Sequence, residues 1–168
     1  MDARSEPTFL EFIRYNNWAN QQVLQACQNL SEDQLAKMIP GAYGTIGDTL
    51  EHIIRAEAYY VRLLTGSSPQ PLFKWEARPG LAEMTAYAAQ VGKALVDMAQ
   101  RILPTDPVVE EAEGKHFHYQ ALVVFIQIIN HGIEHRTNIT TILNQGLQTP
   151  PDVDGWGYLE AHPDRFEL

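Results

Sequence analysis

The sequence predicts an all-α protein, a four-helix bundle with long crossover loops and a short β-ribbon between the third and fourth helices. Three observations carry that prediction. Apolar residues recur at spacings of three and four along four segments, and each segment is bounded by Pro, Gly or a polar capping residue. Strand-like alternation is confined to one stretch, "VVEEAEGKHFHYQ", centred on Gly114.

The first helix starts near Pro7 and runs to about Asn29, with Phe9, Phe12, Ile13, Val23, Leu24, Cys27 and Leu30 on one face and Asn16 and Asn20 on that same face. The second follows "GTIGDTL", where Thr45 and Asp48 form a capping box with the shorter acid, and runs to about Thr65 before "GSSP". His52 lies within it. The third extends from Leu81 to about Leu103 and carries Leu81, Met84, Ala88, Val91, Leu95, Met98 and Ile102, the seam of a helix packed against near-parallel neighbours. Pro104 and Pro107 end it. The fourth begins near Tyr119 or Gln120, is apolar on nearly all sides through Ile129 and continues to about Gln145, where Gly146 supplies a left-handed stop. Loops of about 15 residues separate these segments, longer than adjacent antiparallel helices need, so crossover connections are expected.

A chain of 168 residues, 45% hydrophobic and 20% charged, has the length and composition of a single globular domain spanning residues 1–168. Its 21 acidic against 12 basic side chains give a formal charge of -9, and no run of Lys or Arg is present, which argues against a nucleic-acid partner. The single cysteine, Cys27, allows no internal disulfide, and "MDARSEPTFLEF" has neither the charged start nor the apolar core of a secretory signal, so a cytoplasmic location is expected. The longest apolar run, "ALVVFIQII", falls well short of the ~20 residues that cross a bilayer. It reads as buried core, with no membrane partner.

Within the fourth helix, "HGIEHRTNI" places His131 and His135 one above the other, their Cβ atoms ~6 Å apart. Both belong to the stripe Val124, Gln127, Ile128, His131, His135, Asn138 and Ile142, so both imidazoles project from the apolar side, where an unpartnered polar ring is costly. A metal site needs a third ligand, and His52, His116, His118, His162 or a carboxylate could supply it. His52 has the matching setting, followed along its stripe by Ala56, Tyr59 and Leu63. His116 and His118, on the ribbon, would have to reach the bundle, and His162 lies in a polar tail where solvation is expected. Three imidazoles leave coordination positions open, as catalytic rather than structural divalent sites do. The alternative is that each histidine is a core residue hydrogen-bonded to a nearby group.

Gly132, directly after His131, departs from the zinc-protease signature, which needs Glu there. Glycine inside a helix costs ~1 kcal/mol relative to alanine, which points to close approach of another group or to a tolerated small residue. Glu134 is a candidate base or a hydrogen-bond acceptor for a ligand imidazole, with pairing to Arg136 or Arg55 as the alternative.

Taken together, "YNNWANQQVL" (Tyr15 to Leu24), "TIGDTLEHI" (Thr45 to Ile53) and "HGIEHRTNITTILNQGLQTPPDVDGWGYL" (His131 to Leu159) resemble the DinB family of small bacterial metalloenzymes, over the whole length of the chain. The resemblance implies a four-helix bundle, often dimeric, with one divalent ion held by His52, His131 and His135. Three imidazoles suit several first-row metals, with Zn, Ni or Fe the expected ion. The family's pattern usually has Gly and Gln where Thr137 and Asn138 stand here. Asn138 keeps an amide one turn beyond the ligands, and Asn16, Asn20 and Asn138 are candidates for orienting substrate or bound water; for Asn16 and Asn20 the alternative is pairing with buried carbonyls or with each other. Members with assigned activities include thiol transferases using bacillithiol or mycothiol, a thiol-dependent isomerase and hydrolases. The resemblance therefore implies a divalent-metal-dependent thiol S-transferase or hydrolase acting on a small molecule, with a low-molecular-weight thiol as a candidate partner. Two other readings stand beside it: a stress-associated metal-binding protein without turnover, and a helical interaction protein with structural histidines.

Trp18 lies about 180° around the first helix from the apolar stripe, among Arg14, Gln21, Gln22 and Gln25. An indole there needs a cover, either a second subunit in a homodimer or the C-terminal segment "DGWGYL" packed back on the bundle.

Overall fold

The computed structural model describes residues 8–70 and 79–166. In chain order these form α1 (Thr8–Cys27), α2 (Glu32–Leu35), α3 (Ile46–Thr65), α4 (Leu81–Ala99), β1 (Pro107–Ala112), β2 (Lys115–Gln120), α5 (Leu122–Leu143), α6 (Gly155–Ala161) and a terminal 3-10 turn (Pro163–Arg165). The four long helices α1, α3, α4 and α5 are those expected from periodicity; the expected start at Pro7 lies outside the described residues. α1 packs against α4 and α5, and α3 packs against the same two, so α1 and α3 occupy one diagonal of the bundle and α4 and α5 the other. The connections from α1 to α3 and from α4 to α5 therefore cross diagonals, which their length allows.

Local chemistry accounts for the boundaries. At the start of α3 the Thr45 hydroxyl accepts from the Asp48 N–H (3.0 Å) while the Asp48 carboxylate accepts from the Thr45 N–H (3.4 Å), and Gly66 closes the helix in the left-handed region at φ 77°. The antiparallel ribbon pairs Val108 with Tyr119 and Glu110 with Phe117. It turns through Glu113 and Gly114, both at positive φ (52° and 71°), as a two-residue hairpin turn of matching twist requires. Tyr59 of α3 and Tyr119 both donate to the Glu110 carboxylate and tie the ribbon to the bundle, leaving His116 and His118 exposed on its outer face.

One apolar cluster runs through all four long helices, including Ile13, Leu24, Leu50, Ile54, Phe125, Ile128 and Ile142, and the seam of α4 (Met84, Ala88, Val91, Leu95, Met98) is buried as its spacing predicts. Several expectations need correction. Phe12 is 49% exposed, because it stands at the edge of the α1 stripe and lines a groove between α1, α5 and α6. α4 stops at Ala99 rather than near Leu103: the Arg101 N–H turns back to the Met98 carbonyl (3.0 Å), and the Leu103 N–H donates to the Asp106 carboxylate (2.8 Å) instead of continuing the helix. α5 begins at Leu122 because Tyr119 and Gln120 complete β2. Two short helices were not expected: α2, opened by a Ser31–Gln34 capping box, and α6, opened by Asp154, whose carboxylate accepts from the N–H groups of Trp156 and Gly157.

α6 packs back on α1. The buried Tyr158 donates to Glu11 (2.7 Å), and its ring lies 5.2 Å from that of Trp18. Tyr15 donates to the Val153 carbonyl (2.8 Å). The C-terminal segment is thus the cover that Trp18 needs. His162, expected in solvent, is half-buried, its ring 6.1 Å from Trp18 and 4.5 Å from Tyr158. Trp156 in the same segment is 74% exposed. No helix among the described residues is long and apolar enough to cross a membrane.

Candidate metal centre

α3 and α5 are neighbours, and His52 on the first faces His131 and His135 on the second. Ring centroids are 4.8 Å apart for His52 and His131, 4.7 Å for His52 and His135, and 4.3 Å for His131 and His135. Nε2 of His52 and Nε2 of His131 are 2.9 Å apart, and one ligand nitrogen from each ring lies within 4.8 Å of the others. Nitrogens ~2.1 Å from a common ion stand ~3–4 Å apart, so small ring rotations let the three converge. The three histidines could hold one divalent ion. His116, His118 and His162 are not part of the cluster.

Electrostatics favour ligation. Burial pushes the His131 pKa down to about 4, helped by the charges that His135, His52 and Arg136 would place nearby. His52 is lowered by burial, then by His135 and Arg55; His135 is lowered by burial, against the pull of Glu134. All three rings are therefore neutral near pH 7, the form a metal requires. Nδ1 of His131 and Nδ1 of His135 are buried without a hydrogen-bond partner among the described residues, so the alternative of fully hydrogen-bonded core histidines is not met at those atoms. Cys27 offers no thiolate: it is buried in the core and burial pushes its pKa up to about 12.

Tyr43, which the sequence did not single out, covers one side of the cluster. Its ring stacks on His52 (centroids 4.2 Å apart, planes 23°) and meets His135 edge-on at 4.8 Å, while its hydroxyl lies 3.0 Å from His52 Nδ1. Asn138 holds it there: Oδ1 accepts from the Tyr43 N–H (3.2 Å), and Nδ2 donates to the Glu134 carbonyl (2.8 Å). An open cleft of ≈ 500 Å³ adjoins His52, lined by Tyr43, Asp48, Glu51, Arg55 and Ala56. Glu134 is exposed, and the partners expected for it are engaged elsewhere, Arg55 with Glu51 (3.2 Å) and Arg136 inside the bundle.

Beside the cluster lies a buried polar assembly. Asn16 and Asn20, one turn apart on α1, each donate Nδ2 to Glu57 Oε1 (2.6 and 2.7 Å) and each accept at Oδ1 from Arg136 Nη1 (2.8 and 2.7 Å). Asn16 is 0%, Arg136 2% and Glu57 3% exposed. Burial raises the Glu57 pKa, while Asn16, Asn20 and Arg136 pull it down; burial lowers that of Arg136, and Glu57 opposes the change. The amides of Asn16 and Asn20 thus bridge an acid and a base rather than pair with each other or with backbone carbonyls. Gly132 makes the assembly possible, since a Cβ there would stand 2.4 Å from Asn16 Oδ1 and 2.6 Å from Arg136 Nη1. Glu57 and Arg136 had a sequence signal: Glu57 falls midway between Ile53 and Val61, and Arg136 between Gly132 and Ile139, each on a buried stripe.

A crystal structure of a DinB-like protein from Bacillus cereus ATCC 10987 is similar to this chain, with a TM-score of 0.66 and 21% identity, covering 87% of this chain and 95% of that one. That likeness shows a shared fold. Among curated proteins no relative matches. The sequence matches the family model described as DinB family over residues 3–165, so the chain belongs to the DinB family.

Proposed function

We propose that the protein is a divalent-metal-dependent enzyme acting on a small molecule, a thiol S-transferase or a hydrolase, with the ion held by His52, His131 and His135. The observation that carries this reading is the convergence of three neutral imidazoles from two helices, with no fourth protein ligand in the cluster among the described residues. An ion bound by three neutral imidazoles keeps its positive charge and lowers the pKa of a coordinated thiol or water. The chain's own residues set the rest. Tyr43 shields one side of the rings and, through its hydroxyl, fixes the orientation of His52. The cleft beside His52 admits a small molecule, and its wall of Asp48, Glu51 and Arg55 suits a polar, partly charged one. Glu134, next to His135 in the chain and exposed, is the candidate proton acceptor, and its charge acts on His135. Asn138 serves the substrate side indirectly, by anchoring Tyr43, and Asn16 and Asn20 by holding the bundle around the rings.

The same reading places the protein in the cytoplasm, in keeping with a lone, buried, unpaired cysteine. The reading also includes a homodimer, for which Phe12, Ile133 and Trp156, exposed apolar residues lining one groove, offer a surface. The testing experiment offers the zinc-, nickel- or iron-loaded protein a low-molecular-weight thiol with an electrophile, and separately a panel of esters and amides. Turnover that disappears in His131→Ala supports the proposal. Turnover that persists in that variant, or none with either panel, counts against it.

A further inference from the structure

We propose that Asn16, Asn20, Glu57 and Arg136 are positioning residues that set the geometry and the electrostatics of the three-histidine centre. The proposal rests on the reading that His52, His131 and His135 hold a divalent ion. α3 and α5 supply the histidines, and α1 supplies none. Yet two amides of α1 reach both: each is bonded to Glu57 of α3 on one side and to Arg136 of α5 on the other, within 2.6–2.8 Å. Sliding or rotating either helix breaks two of these four bonds together. On α5 the assembly engages the chain next to both ligands, since Arg136 follows His135 and the space beside Gly132 follows His131.

Residue chemistry is as restrictive as the geometry. Only a side chain that is donor and acceptor at once can bridge a carboxylate and a guanidinium at these positions, and asparagine is the shortest amide that does so. Charge adds a second reason. A buried guanidinium repels a cation held nearby, and Arg136 directly follows His135 in the chain. The Glu57 carboxyl, bonded to the same two amides, stands opposite it. Stability alone gives no reason for the arrangement, because apolar residues of similar volume commonly replace a buried charge pair without loss.

The test is calorimetric titration of Co²⁺ alone into the metal-free full-length protein, with the visible absorption of the bound ion as a second readout. Glu57→Gln is expected to weaken Co²⁺ binding about 10–100-fold and to alter the absorption bands. Leu95→Ala, on a helix that supplies neither ligand nor assembly member, is expected to lower thermal stability while preserving affinity and spectrum. Should Glu57→Gln fail to fold, Asn20→Leu, which keeps the volume but neither donates nor accepts, carries the same expectation. Wild-type affinity and spectrum in either assembly variant would overturn the inference while leaving the ligand reading intact. Absence of Co²⁺ binding by the wild type would overturn both.

Discussion

Replacing Gly132 by alanine has a sign that depends on what stands beside it. In an exposed helix interior the change stabilises by ~1 kcal/mol, because alanine is the better helix former. Here the new methyl would sit 2.4 Å from Asn16 Oδ1 and 2.6 Å from Arg136 Nη1, well inside contact distance. Both neighbours are buried and bonded to each other at 2.8 Å, so neither can turn aside into solvent. Forcing a methyl into a packed site costs about 1–3 kcal/mol, and losing a hydrogen bond to a charged group costs about 1.5–3 kcal/mol. Set against the propensity gain, the expected net loss is about 1.5–5 kcal/mol, or roughly 3–20 °C in Tm for a chain of this size. Urea unfolding of wild type and Gly132→Ala, followed by circular dichroism, measures it. A neutral or stabilising Gly132→Ala would refute the placement of Asn16 and Arg136 against this glycine.

Three further outcomes are expected. His131 takes up a proton at an ordinary 6.5 when unfolded but at about 4 when folded, so its contribution to the stability of metal-free protein is complete above pH 6.5 and is lost as pH falls toward 4; the stability difference between wild type and His131→Gln should change in that window, and a flat difference would contradict the burial of the ring. Tyr158→Ala removes the ring that packs on Trp18 and the bond to Glu11, with an expected loss of about 3 kcal/mol; in a background lacking Trp75 and Trp156, iodide should quench Trp18 emission more strongly after that substitution, and equal quenching would mean that the tail does not cover it. Tyr43→Phe keeps the stacked ring but loses the hydroxyl beside His52 Nδ1, so Zn²⁺ affinity should fall about tenfold with little change in Tm; unchanged affinity would remove Tyr43 from the centre.

The parts of this fold legible in the sequence were those governed by local rules. Thr45 and Asp48 announce the start of α3, and Glu113–Gly114 turns the ribbon because backbone dihedrals and short hydrogen bonds are properties of neighbouring residues. Ser31–Gln34 obeyed the same capping rule and was equally readable, yet a helix of four residues leaves no periodicity to prompt the search. Pairings across the bundle were harder. The helical wheel puts Asn16 and Asn20 on the inner face, but which helices face them depends on the crossover, so their partners Glu57 and Arg136 are not legible from spacing. Charged residues usually face solvent, which masks the signal that each interrupts an apolar stripe at a helical interval. The histidine trio was legible because His131 and His135 share one helix turn and His52 has a similar stripe. Tyr43 was not, since it comes from a loop whose path the sequence does not fix.

The central claim is that one ion is shared by His52, His131 and His135, and elemental analysis of the purified protein and its single-alanine variants tests it most directly. One divalent ion per chain is expected in the wild type and none in His52→Ala, His131→Ala or His135→Ala, each variant keeping its helical circular dichroism because the apolar core is independent of the site. Stoichiometric metal retained by both His52→Ala and His135→Ala would contradict it.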